Sequence, residues 1–230
     1  MNPIILGDGL LGSELSKQSG WYYISRKSSG FDFSTQIEKY FKFILDNKFD
    51  TVINCIACTN TYGGTEDEHR ILNYERVQNL VDFCNKNKIK LVHISTDYLY
   101  SNSKPNAKET DDICPINTFY GQFKNYGDFH VQMFSENYLT IRTSFKPNPF
   151  PYDNAVNQTG NFDYVDVIAN LIIKLIEKDA KGIFNVGTKK KSMYTLAKKT
   201  RPNVGKIENN NPLMPTDISM NLTKLRNFLK

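Results

Sequence analysis

Pro3-Ile4-Ile5-Leu6 is a short apolar run that ends at once in Gly7-Asp8-Gly9-Leu10-Leu11-Gly12, and the chain continues as a helix former through Ser13-Glu14-Leu15. A strand that turns through glycines straight into a helix opens a β-α-β unit. The alternation then repeats. Further strands are expected at Trp21–Ser25, Thr51–Ile56, Lys90–Ser95, Tyr138–Thr143 and Ile183–Val186. Between them apolar residues take helical spacing: Ile37, Tyr40, Phe41, Ile44 and Leu45; then Ile71, Val77, Leu80, Val81 and Cys84; then Ile168, Ile172, Leu175 and Ile176. The fold class this predicts is α/β, a Rossmann-type doubly wound parallel sheet in α/β/α layers.

A chain of 230 residues has the length of one domain, or of one domain with a small appendage. Hydrophobic residues at 40% and charged residues at 23% are proportions that bury a core, which excludes disorder of the whole chain. Two proline-, glycine- and asparagine-rich stretches, 145–160 and 201–219, break the alternation as loops. Residues 1–145 are therefore expected to form a nucleotide-binding domain. Residues 146–230 would make a small, shortened lobe, with about 161–188 returning to the main sheet. Asn221 reads as the N-cap of a helix over 222–229.

Twenty-nine Lys and Arg against 24 Asp and Glu leave a net charge of +5. That mildly basic balance suits a phosphate-bearing substrate and does not point to nucleic acid. The longest apolar stretch, 165–176, is broken by Asp166, Asn170 and Lys174, so no membrane span is expected. The amino terminus lacks the basic region of a secretory signal. Four cysteines are too few for a disulfide framework, and a reducing, cytoplasmic setting follows as the expectation.

Several residues are candidates for chemistry. Gly7, Gly9 and Gly12 permit a tight turn, let backbone amides approach a pyrophosphate and bring helix and strand together, with Leu10 and Leu11 between them. The second strand ends in Ser25-Arg26-Lys27, where an acid would hold the ribose of NAD; a hydroxyl and two cations favour the 2′-phosphate of NADP. Tyr120 and Lys124, four apart on a helix, share one face. A nearby ammonium and a nicotinamide cation stabilise a phenolate, drawing the phenol toward a pKa at which it exchanges protons. The fourth strand ends in Ser95-Thr96-Asp97-Tyr98, at the sheet edge where ligands of such folds bind. Because strand side chains alternate, only one of Ser95 and Thr96 can be the primary partner of a carbonyl.

Other features read more plainly. Cys55-x-x-Cys58 has no second pair, and His69, His93 and His130 have no ligand spacing, so no metal site is expected. Lys189, Lys190, Lys191, Lys198, Lys199 and Arg201 read as a solvated face, with the holding of substrate phosphates as the alternative. Asp163 and Asp166 read as acids at the start of the following helix.

Together these residues resemble the extended short-chain dehydrogenase/reductase family, and within it the dTDP-4-dehydrorhamnose reductase branch. Asp32-Phe33 is similar to the branch's segment at the adenine end of the cofactor. Asn54-Cys55-Ile56-Ala57-Cys58-Thr59 is similar to its run beside ribose and nicotinamide, and Asn73 to the Asn of its following helix. His93 to Tyr100, Glu109-Thr110-Asp111, Pro115, Asn117, Tyr120-Gly121, Lys124, Gly127-Asp128 and Arg142-Thr143-Ser144 fall on its signature stretches.

The resemblance implies NADPH-dependent reduction of a nucleotide-diphospho-4-keto-6-deoxysugar. Thr96 would orient the carbonyl, Tyr120 donate the proton, and Lys124 anchor the ribose and lower the tyrosine pKa. Gly7, Gly9, Leu10, Leu11, Gly12, Ser25, Arg26, Lys27, Asp32, Phe33, Cys55, Ile56, Ala57, Thr59, Asn73 and Ser95 would join Tyr120 and Lys124 around the cofactor. Ser95, Thr96, Asp97, Tyr98, Tyr120 and Phe145 would meet the substrate.

Three departures accompany the likeness. The first two glycines stand one residue closer than in the family's usual signature, the segment after Phe145 is short, and Phe145 replaces a usual Trp. A nucleotide-sugar epimerase or dehydratase of the same fold, and a non-catalytic NADP-binding regulatory subunit, stay open as alternatives, as does a homodimer.

Overall fold

The computed structural model describes residues 1–230. β1 (Pro3–Leu6) turns into α1 (Leu10–Ser19), followed by β2 (Tyr22–Ile24), a single turn α2 (Arg26–Ser29), α3 (Ile37–Asp46) and β3 (Thr51–Asn54). Next come α4 (Glu66–Arg70), α5 (Arg76–Asn87), β4 (Lys90–Ile94), α6 (Phe119–Phe134) and β5 (Tyr138–Arg142). Beyond them lie β6 (Phe145–Lys146), β7 (Asn154–Val156), β8 (Thr159–Gly160), β9 (Asp163–Tyr164), α7 (Val165–Glu177) and β10 (Gly182–Asn185). The chain closes with β11 (Lys191–Ser192), α8 (Met193–Ala197), β12 (Gly205–Ile207) and α9 (Thr223–Leu229).

Six strands make one sheet in the order β2-β1-β3-β4-β5-β10, with every neighbouring pair parallel. Both faces of a parallel sheet are covered, so its strands read as continuous apolar runs instead of alternating ones. Ile5, Ile53, Val92 and Ile141 face α1, α7 and α9, while Ile4, Leu6, Val52 and Leu91 face α3 and α5. Full burial of each such side chain favours the fold by about 1.5–3 kcal/mol. The chain leaves β1 for β2 on one side and returns to β3 on the other. This reversal opens a crevice beyond the carboxyl ends of β1 and β3, the place where open α/β sheets bind ligands.

The expected strands are all present, each ending within two residues of its predicted bounds. The stripe from Ile71 to Cys84 is not one helix. A π-helical turn, Ile71–Glu75, separates α4 from α5, because Asn73 is drawn inward to bond the loop beside β3. The two stretches read as loops also carry short strands: β6 pairs with β9, β7 with β12, and β8 with β11. They enclose a small apolar cluster of Phe150, Ala155, Phe162, Tyr164, Met193, Leu196 and Val204. Leu222, not Asn221, precedes α9, although the Asn221 side chain accepts the Thr223 amide at 2.9 Å. No helix is long and apolar enough to cross a membrane.

Asp163 does more than head α7. It is buried, and its carboxylate takes hydrogen bonds from Thr188 Oγ1 at 2.6 Å and Lys191 Nζ at 2.8 Å. Lys191 is consequently a tethered side chain, not part of a solvated face. Lys190 is likewise paired with Asp217 at 2.6 Å.

Candidate active site

Two adjoining cavities occupy the crevice. The first, about 530 Å³, is lined by Gly7, Asp8, Gly9, Ser25, Arg26, Asp32, Phe33, Cys55, Ile56, Ala57, Ile71 and neighbours. The second, about 760 Å³, is lined by Gly9, Leu10, Leu11, Gly12, Cys55, Ala57, Thr59, Ser95, Thr96, Tyr98, Tyr120, Lys124 and Phe145, among others. Gly9, Cys55 and Ala57 belong to both, so one elongated ligand can run from one cavity into the other.

The glycine turn makes this floor. Gly7 has φ +98°, a conformation open to glycine and strained for other residues. A Cβ on Gly12 would overlap the carbonyl oxygen of Gly7, so only glycine lets α1 start this close to β1. Gly9 precedes α1 without capping it by a side chain, which leaves the first amides of the helix turned toward the crevice. These features fit a dinucleotide pyrophosphate.

Arg26 is the cation of the first cavity, and its guanidinium reaches the Asp32 carboxylate at 3.4 Å. Hydrogen bonds from the Ser34 hydroxyl and amide hold Asp32 below the usual carboxylate range. Asp8, Asp67 and Glu68 also line this cavity, so attraction for a 2′-phosphate rests on Arg26 alone. Lys27 lies outside the lining of both cavities. The Ser25 hydroxyl is occupied with the Ser28 amide, capping α2.

Asn73 also lines neither cavity. Its amide donates to Cys58 O and accepts from Cys58 N, both at 3.0 Å, clamping the 55–59 loop from behind. Cys55 is a free thiol that burial pushes up to about 12.

Tyr120 and Lys124 stand one turn apart at the start of α6, where Thr118 caps the helix by accepting the Gly121 amide. Both side chains are buried and both face the second cavity. Burial raises the Tyr120 phenol above its ordinary pKa, and the adjacent Thr96 hydroxyl pulls it back part of the way. Lys124 is held from the strand side. Its ammonium donates to Ile94 O at 2.7 Å, and burial lowers it to about 8 against the opposing pull of Asp128.

Ser95 and Thr96 diverge as strand geometry requires. The Ser95 hydroxyl is buried on the Asp128 side, whereas Thr96 lies beside Tyr120 and accepts the Tyr98 amide at 3.2 Å. Asp97 is fully buried and is not among the residues that line the second cavity. Neither of its oxygens has a hydrogen-bond partner, and burial pushes it up to about 7. Tyr98 does form the wall, its hydroxyl joined to Tyr62 Oη at 3.0 Å and to Gln158 Nε2 at 3.2 Å.

A family profile described as RmlD substrate binding domain matches residues 1–146. The chain belongs to that family. The RmlD likeness extends over the whole fold. A hypothetical dTDP-4-dehydrorhamnose reductase from Sulfolobus tokodaii superposes with a TM-score of 0.83 at 25% identity, covering 99% of this chain and 94% of the other. A dTDP-4-dehydrorhamnose reductase from Bacillus anthracis, in complex with NADP, gives 0.84 at 24% identity, with 97% and 90% covered. A search of the curated proteins finds no match.

The resemblance to the dTDP-4-dehydrorhamnose reductase branch of the extended short-chain dehydrogenases/reductases is borne out, and so is the Rossmann-type fold. Within the RmlD site, Tyr62, Gln158, Lys146, Met193 and Met214 join the lining without having been signalled by the sequence. They come from irregular stretches or isolated positions, which carry no periodicity to read.

Proposed function

We propose that this chain is an NADPH-dependent reductase of a nucleotide-diphospho-4-keto-6-deoxysugar. The observation that carries this is the convergence of Thr96, Tyr120 and Lys124 on the cavity that shares its floor with the glycine turn. Membership of the RmlD family and the NADP complex of the Bacillus anthracis relative support it.

The crevice has the parts that the cofactor needs: a glycine cradle, uncapped helix amides and the Arg26 guanidinium at its mouth. NADPH, when bound, supplies the hydride that converts the C4 carbonyl to an alcohol. Thr96 holds the carbonyl oxygen by a hydrogen bond. Tyr120 Oη gives that oxygen its proton, and burial keeps the phenol in the protonated form that the step requires. Lys124, fixed by Ile94 O, offers its remaining protons to ribose hydroxyls. The buried walls exclude water and strengthen each of these interactions on a developing alkoxide.

The test is NADPH oxidation with a dTDP-4-keto-6-deoxyhexose, supplied with its 3,5-epimerase, by wild type and Tyr120→Phe. Turnover is expected to fall about 10²–10⁴-fold in the variant while NADPH binding persists. Wild-type turnover that survives the substitution undiminished would remove Tyr120 from the chemistry. A wild type that binds NADPH and turns nothing over would instead favour the regulatory alternative.

A further inference from the structure

The second cavity contains an unusual charge distribution. Among its lining residues no carboxylate is present, and Lys124 and Lys146 are the charged side chains. Lys124 is committed to Ile94 O and to the catalytic end. Lys146 has no such tie: it donates to no protein oxygen, and the charge it feels is that of Asp97, too far away for an ion pair.

Lys146 owes this position to β6, whose two residues pair with Asp163 and Tyr164 of β9 and so set Phe145 and Lys146 against the cavity. The same cavity is also lined by Ser144, Tyr152, Asn154 and Gln158, which are neutral hydrogen-bonding groups. The chain's obvious basic tract is spent elsewhere. Lys190 is bound to Asp217, Lys191 to Asp163 and Arg201 to Asp153, and Lys198 sits over the Tyr194 ring. None of these cations lines the cavity.

An ammonium held half-buried with no ion-pair partner, only the more distant Asp97, costs desolvation, and an anionic ligand repays it. We infer that Lys146 is the anion anchor of the substrate site, binding an anionic oxygen of the nucleotide sugar and thereby selecting charged over uncharged ligands. This rests on the proposed reaction and adds to it the residue that sets substrate charge. In that substrate the anionic oxygen is one of the diphosphate, because C6 of a 6-deoxysugar is a methyl group and not a carboxylate.

The experiment is calorimetric titration of the NADP-loaded protein with four ligands, in thymidine and uridine series: nucleoside, nucleoside diphosphate, nucleotide-glucose and nucleotide-glucuronate. Wild type is compared with Lys146→Met, which keeps the length of the side chain, and with Lys146→Arg. NADP binding measured beforehand shows that each variant is folded.

A charge-assisted hydrogen bond in such a site makes the expected loss for Lys146→Met tenfold or more, with most of it restored by arginine. Weakened diphosphate and unchanged nucleoside would assign Lys146 to the phosphates. Unchanged diphosphate, with the advantage of glucuronate over glucose abolished, would overturn the phosphate anchor and count against a 6-deoxysugar as the substrate. Equal affinities of wild type and Lys146→Met for every ligand would overturn the anchor and leave the reductase reading intact. Failure of the wild type to bind any nucleotide would overturn both.

Discussion

Asp97 shows how far neighbouring residues can differ in duty. Thr96 and Tyr98 line the second cavity, yet the carboxyl between them is buried with no hydrogen-bond partner for either oxygen. Its pKa, raised by burial to about 7 from 3.8, means that the folded state binds its proton more tightly than the unfolded chain. Stability from this group is therefore full below about pH 4 and is lost as pH rises through 7. Asp97→Asn is expected to be more stable than wild type at pH 8, by about 1–3 kcal/mol. The advantage should shrink as pH falls through 7, and thermal melts across that range would check it. A melting temperature lower than wild type at pH 8 would contradict this account. The sequence placed Asp97 among substrate contacts because it sits in a signature stretch. Which side chain of Ser95 to Tyr98 turns beneath the floor depends on the turn after β4, and that turn leaves no pattern in the residue types.

At the scale of elements, α6 is held to β5 through charge as well as packing. Arg142 at the end of β5 makes two hydrogen bonds to Asp128 of α6, at 2.7 and 3.1 Å, and both side chains are buried. Its third donation goes to Tyr100 Oη at 2.6 Å, and Tyr100 in turn donates to Asn185 Oδ1 at 3.0 Å. Arg142→Met would leave the Asp128 carboxylate buried and unpaired. A loss of about 3–5 kcal/mol in urea unfolding is expected, whereas the double variant Arg142→Met, Asp128→Leu should recover most of it. The β-α-β alternation was legible because buried parallel strands and amphipathic helices have different periods. The π turn at Ile71–Glu75 was not, since it keeps the apolar spacing and changes only the backbone bonding. The two- and three-residue strands after β5 are likewise too short to express a period.

For the whole molecule, the decisive arrangement is two cavities meeting at Gly9, Cys55 and Ala57. A ligand that binds the folded state and not the unfolded chain stabilises it by mass action, about 2.7 kcal/mol at a hundred times its Kd. At equal concentrations NADPH is expected to raise the melting temperature more than NADH. The difference should disappear in Arg26→Ala, because Arg26 is the cation facing the first cavity amid Asp8, Asp32, Asp67 and Glu68. Equal stabilisation by both cofactors in wild type would show that those acids outweigh it. The glycine motif and the Ser25-Arg26-Lys27 segment gave this end of the site from sequence, apart from Lys27, which lines neither cavity. The substrate end was legible where motifs run along β4 and α6, and illegible where the wall comes from residues 146–158.

The chain from Asp128 through Arg142 and Tyr100 to Asn185 has a further reach. Asn185 donates to Ala107 O at 2.9 Å, its amide is accepted by Glu109 Oε1 at 3.0 Å, and Asn221 returns its own amide to Ala107 O. A splice after Phe145 that grafted a relative's second half onto this first half would replace the Asn185 and Asn221 partners of Tyr100, Ala107 and Glu109 at once, while the bonds among Asp128, Arg142 and Tyr100 stay within the first half. Anyone recombining such proteins would have to transplant residues 107–109 together with the graft, so the unit of exchange is set by this polar seam and not by the position of the catalytic residues.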